Sequence, residues 1–145
     1  MKNPQDAQND ELIRQLFHTT RIFSRTLNSV VSHCGLHSTE WMVFYVIYSR
    51  GGMSQAELNR YFKVEPAAIT RTLTRLEKKG YVFRRPMDKG RGKYVEVTED
   101  GGQLYDTLKA AVIAHRNQAL QDLTAADKMY MFRALAKIQH NLKTE

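Results

Sequence analysis

The chain has 145 residues, 42% hydrophobic and 26% charged, with only three prolines. That is enough for one domain with a core of its own, and it excludes extensive disorder. Twenty-two Lys and Arg against fifteen Asp and Glu leave a formal charge of +7, which favours phosphate backbones or anionic membranes and leaves placement to decide between them.

A first helix is predicted from about Asn9 to Ser32. Leu12, Leu16, Phe23, Leu27 and Val30 fall at helical spacings, Ile13, Phe17 and Val31 widen the stripe, and Gly35 ends it. So long a helix has few neighbours in sequence to cover its apolar face, which points to a partner chain. A second helix follows, capped by Ser38 or Thr39, with Glu40 in its first turn and a nearly all-apolar run from Trp41 to Tyr48. A helix apolar on all sides is central and buried. Gly51 and Gly52 stop it.

Ser54 and Glu57 form an S-x-x-E capping box for a short third helix ending near Phe62, with Met53 and Leu58 at hydrophobic-staple positions. Lys63 and Val64 make a turn. A fourth helix opens with Glu65 and Pro66, turns Ile69, Leu73 and Leu76 inward, and stops at Gly80. The period then changes from helix to strand. Residues 81–85 and 93–97 read as two strands, with Tyr94, Glu96 and Thr98 alternating against Val95 and Val97. The Pro, Asp and Gly between them make a hairpin tip. Thr98 caps a fifth helix marked by Leu104, Leu108, Val112, Ala119 and Leu123. Thr124 caps a sixth that carries Met131, Leu135, Ile138 and Leu142.

Short helix, turn, helix, β-hairpin is the order of a winged helix-turn-helix, a mainly α (α+β) fold. The fourth helix has the face a DNA-reading helix needs. Opposite its inner stripe lie Ala67, Arg71, Thr74 and Lys78, flanked by Ala68, Thr70 and Arg75. Small residues near its start let the backbone approach the bases. Arg71 or Arg75 has the geometry to bond guanine, and Ala67 or Ala68 to pack on a thymine methyl. An ordinary solvated helix would also be polar and basic, so the hairpin tips the balance. Lys78, Lys79, Arg84, Arg85, Lys89, Arg91 and Lys93 crowd one stretch opposed only by Asp88, the electrostatic footprint expected of DNA binding. Membrane binding would instead need these charges on an amphipathic helix.

At these residues the sequence resembles the MarR family. SQAELNRYFKVEPAAITRTLTRLEKKGYVFRR is similar to the family's helix-turn-helix and first wing strand, GLHSTEWMVFYVIY to the preceding helix, and KYVEVTEDG to the second wing strand. The tip departs from the family's usual Asp-x-Arg-Asp-x-Arg-like run: it is DKGRGK, shorter, with Asp88 and Arg91 as the counterparts, and Lys63 stands where the turn often has glycine. The resemblance implies a single domain over 1–145. Residues of about 36–98 would be the DNA-binding part, and about 9–34 and 99–143 the helices of a homodimer. It also implies a regulator, a repressor released from a near-palindromic double-stranded operator by a small aromatic or anionic effector. On this reading Ser54, Ala67, Ala68, Thr70, Arg71, Thr74, Arg75, Lys78, Arg84, Lys89, Arg91 and Lys93 face DNA.

Arg14, Phe17, Trp41, Tyr45 and Tyr48 are candidate effector-pocket residues, although aromatics on a helical stripe are more often plain core. Cys34, the single cysteine, with His33 and His37 nearby suggests a redox or metal sensor as an alternative. Peroxide-sensing relatives keep their cysteine nearer the start of the first helix, and zinc wants four ligands, so an inert cysteine and no bound metal or cofactor are expected. No Ser-His-Asp spacing, nucleotide loop or paired-carboxylate pattern supports an enzyme. A winged-helix module serving only protein contacts is the other alternative, and the basic face argues against it. One cysteine precludes an internal disulfide, the polar start lacks a signal peptide's apolar core, and Trp41–Tyr48 is too short to span a bilayer. A cytoplasmic protein without a membrane partner is expected.

Overall fold

The computed structural model describes residues 3–143. Its elements run α1 (Pro4–Val31), a 3-10 turn (Ser32–Cys34), α2 (Ser38–Arg50), β1 (Met53–Ser54), α3 (Gln55–Phe62), α4 (Pro66–Lys78), β2 (Val82–Pro86), β3 (Lys93–Val97), α5 (Glu99–Ala119) and α6 (Ala125–Asn141). Two compact units divide these residues between His115 and Arg116.

In the first unit the core gathers on α2. Phe44 and Ile47 are fully buried, as are Leu58 of α3, Leu73 and Leu76 of α4 and Val95 of β3. Each such side chain contributes about 1.5–3 kcal/mol by leaving water. Leu27 and Val31 bring the last turns of α1 onto this core, and Leu104, Leu108 and Val112 bring α5. The near half of α1 is different: Leu12 is 62% and Phe17 58% exposed.

The sheet is antiparallel in the order β1-β3-β2. Val82 pairs with Val97 and Arg84 with Val95, while Met53 pairs with Val95 from the other side. Strand β1 is an addition to the predicted elements. Two residues carry no readable alternation, so only the tertiary pairing reveals it.

Several helix ends differ from expectation. Helix α1 begins at Pro4, where the Asn3 side chain accepts from the Gln5 N–H at 3.0 Å. Helix α2 is capped by His37. Its Nδ1 accepts from the Thr39 N–H at 3.2 Å, and Glu40 accepts from the His37 N–H at 3.0 Å. Ser38 is instead the first residue inside the helix, its hydroxyl 2.9 Å from that of Ser24. At α3 Ser54 does cap the Glu57 N–H, but the Glu57 carboxylate accepts a hydrogen bond from the Ser54 hydroxyl at 3.0 Å rather than from the Ser54 backbone, which belongs to the sheet. Thr98 accepts from the Gly101 N–H at the start of α5.

In the second unit Thr124 and Asp127 cap α6 reciprocally, each accepting from the other's N–H at 3.0 Å. No residue of α6 is buried; Tyr130 is 69% and Phe132 66% exposed.

Candidate nucleic-acid interface

Helix α4 is presented by sequence in a simple way. Pro66 pre-sets its first turn, and Ile69, Thr72, Leu73 and Leu76 bury one face. Lys63, in the left-handed region at φ 53°, closes α3 and turns the chain into α4. The opposite face is solvent-exposed: Ala67, Thr70, Arg71, Thr74, Arg75 and Lys78, with Ala68 half-buried.

Among the described residues, Arg71, Arg75, Lys78, Lys89, Arg91 and Lys93 make no side-chain hydrogen bond or ion pair, and all are exposed. They lie on α4 and on the β2–β3 wing. Gly90 and Gly92 at its tip adopt positive φ, and the Met87 N–H donates to the Gly92 carbonyl at 3.2 Å.

The other three basic residues of the cluster are committed within the protein. Arg84 reaches from β2 to α4, donating to Glu77 through Nε at 3.3 Å and through its backbone N–H at 3.1 Å, and to the Thr74 hydroxyl at 3.3 Å. These bonds and the adjacent guanidinium charge hold the Glu77 carboxyl below its ordinary range. Arg85 donates to Glu96 and Asp88, both at 3.2 Å, and lies over the Tyr94 ring. The bond to Glu96 leads the interactions that push its guanidinium upward. Lys79 donates to the buried Glu40 at 2.7 Å and to the Gly35 carbonyl at 2.8 Å, tying the end of α4 to the α1–α2 corner. A buried carboxylate needs such a partner.

Ser54, grouped with the DNA-facing residues from sequence, is 7% exposed and serves as the α3 cap. The bracing roles of Glu77, Lys79 and Gln55, whose side chain donates to Thr70 at 2.8 Å, were not legible in sequence, because each partner lies on another element.

The five candidate effector residues separate. Trp41 is buried, and Trp41, Tyr45 and Tyr48 stack around Tyr105 of α5, with the Tyr48 and Tyr105 rings 3.9 Å apart. Arg14 pairs with Asp10 and Glu11 of its own helix, and with Phe17 it lines a shallow hollow built from α1 alone. A different hollow of about 230 Å³, mostly apolar, lies beneath α4, bounded by Ser24 of α1, Met42 of α2, Phe62 of α3, and Ala68, Ile69 and Thr72 of α4. Cys34 is half-buried. Among the described residues no three His, Cys, Asp or Glu side chains converge on a point that could hold a metal ion, and none of the helices is long and apolar enough to cross a membrane.

The MarR family profile matches residues 36–89. An uncharacterised HTH-type transcriptional regulator, YwoH, of Bacillus subtilis (strain 168) is 32% identical over 120 residues, 83% of this chain and 88% of that protein. A cysteine-to-serine variant of MarR from E. coli, solved in complex with operator DNA, is similar with a TM-score of 0.79 and 25% identity over 88% of this chain and 93% of that one. A MarR family transcriptional regulator from Streptomyces coelicolor, solved in complex with DNA, has the same fold: TM-score 0.85, 17% identity, 96% of this chain and 90% of that one. The chain belongs to the MarR family, whose members are transcription regulators, not enzymes.

Proposed function

We propose that this regulator binds double-stranded DNA sequence-specifically as a homodimer, with α4 in the major groove and the wing against the backbone. The observation that carries this is the set of six exposed cations on α4 and the wing that make no hydrogen bond or ion pair among the described residues. Arg71 and Arg75 are the base readers, with Ala67 and Ala68 allowing close approach. Lys78, Lys89, Arg91 and Lys93 neutralise phosphate or line the minor groove. That a similar MarR was solved with operator DNA supports DNA as the partner.

The dimer reading rests on uncovered apolar surface in each unit: Leu12 and Phe17 on α1 in one, Tyr130 and Phe132 on α6 in the other. Apolar side chains gathered in this way usually mark an interface. A two-fold pair would read a near-palindromic operator, one half-site per α4. The regulator is read as a repressor. The hollow beneath α4 is the effector's place in this reading: a small, largely apolar molecule there touches α1, α2 and the reading helix at once, so it would shift α4 relative to its support.

Selection of bound duplexes from random sequence at stated salt tests the DNA reading, and a salt titration of Arg91→Ala tests the wing. The variant should bind all sequences more weakly, with a salt slope flatter by about one unit. No enriched sequence, and no salt-dependent binding, would favour a protein-contact module instead.

A further inference from the structure

Two threonine hydroxyls on the outer face of α4 are locked. The Thr70 hydroxyl donates to the Pro66 carbonyl at 3.1 Å and accepts from Gln55 Nε2 at 2.8 Å. The Thr74 hydroxyl donates to the Thr70 carbonyl at 2.9 Å and accepts from Arg84 Nη2 at 3.3 Å. A hydroxyl has one proton, and here it is spent on a carbonyl one turn back. The brace, from α3 in one case and from β2 in the other, occupies a lone pair and opposes rotation. Arg84 is itself anchored on Glu77. Turning either hydroxyl proton toward a base edge would break the bond to the carbonyl, and swinging the oxygen itself outward would break both bonds. With the oxygen folded back onto its own helix, the free group on each exposed side chain is the γ-methyl.

The only apolar group that base edges display in the major groove is the C5-methyl of thymine. We propose that Thr70 and Thr74 are fixed methyl probes that select thymine, and that Gln55 and Arg84 are the positioning residues that hold them. Arg84 then shapes specificity from behind the reading helix without touching phosphate. This rests on the DNA-binding reading above. It assigns the hydrogen-bonded part of the code to Arg71 and Arg75 and the apolar part to the threonines.

The test uses the full chain and the operator recovered by selection. Each thymine is replaced singly, in both half-sites, by deoxyuridine, which removes the methyl and keeps the hydrogen-bonding edge. At one or two positions per half-site the affinity should fall about fourfold per lost methyl contact. Thr74→Val keeps a methyl and should keep that thymine-over-uracil preference at its position. Thr74→Ser keeps the hydroxyl and should lose it, and the same pair of variants at Thr70 should act at a second position. Arg84→Met should erode the preference at Thr74's position and leave Thr70's intact, with Gln55→Ala doing the reverse, a position-resolved pattern that a general loss of stability would not produce. Uracil that is harmless at every thymine, or a preference that survives Thr74→Ser and fails in Thr74→Val, would overturn the methyl code while leaving DNA binding standing. A selection that returns no preferred sequence would overturn both.

Discussion

Two adjacent glycines at the start of α5 should respond to alanine in opposite directions. A Cβ on Gly101 would meet the Tyr81 carbonyl at well under contact distance, Val97 Cγ1 at 2.6 Å and Phe44 Cε2 at 3.2 Å. The first of these is backbone, the second belongs to the wing strand β3, and the third is the fully buried centre of α2. None is the free end of a flexible side chain, so α5 must lift from the sheet. Overpacking of this kind costs about 3 kcal/mol at the upper end of its usual range, offset by about 1 kcal/mol of helix propensity. The net loss is about 2 kcal/mol, or a melting point lower by about 4–8 °C for a chain of this length. Gly102 has nothing within 4 Å of the same added atom. Gly102→Ala therefore keeps only the propensity gain and should raise the melting point by about 2–3 °C. The assay is thermal unfolding followed by circular dichroism at one fixed protein concentration, with operator affinity measured alongside. Gly101→Ala should also weaken DNA binding, because Tyr81 and Val97 set the base of the wing, and Gly102→Ala should not. A Gly101→Ala protein melting at or above wild type would refute the close-packing argument.

Lys63→Gly should stabilise by about 0.5–1 kcal/mol, because a side chain in the left-handed region carries a cost that glycine avoids; denaturant midpoints measure it, and an unchanged or lower midpoint counts against it. The Glu77 carboxyl is held low in the folded state, so its contribution is fully present above the ordinary carboxylate range and is lost as pH falls through the folded value. The stability difference between wild type and Glu77→Gln, small because Glu77 is largely solvated, should be constant from about pH 7 to 5 and shrink below about pH 4. A difference that grows on acidification would reverse the assignment. Leu135→Glu on α6 should convert a particle of two chains into one, read by light scattering across dilution, and lower operator affinity with it. A wild-type mass of one chain at micromolar concentration, with specific binding intact, would remove the dimer.

Local chemistry carried most of the elements. Pro66, Gly35 and Gly51 punctuate the helices through backbone preferences that act within a few residues, and the stripe Ile69, Leu73, Leu76 declared the inner face of α4 before any partner was known. Charge placement marked the proposed DNA-facing region in the same way, because a local excess of Lys and Arg is visible in the linear sequence and is what neutralising phosphate requires. What the linear pattern could not reveal is which cations are spent. Arg84 and Arg91 look alike in sequence, seven residues apart on one hairpin. One is bound to Glu77 and Thr74 across the gap to α4, the other makes no bond within the described residues. The same is true of Trp41, whose stacking on Tyr105 joins residues 64 positions apart, and of Ser54, taken into the sheet by Tyr94. Hydrogen bonds and ring contacts reach only a few ångströms, so their partners are selected by the packing of distant elements. Sequence determines which groups are offered at the surface of each helix and strand, and tertiary structure decides which of them remain free to touch DNA.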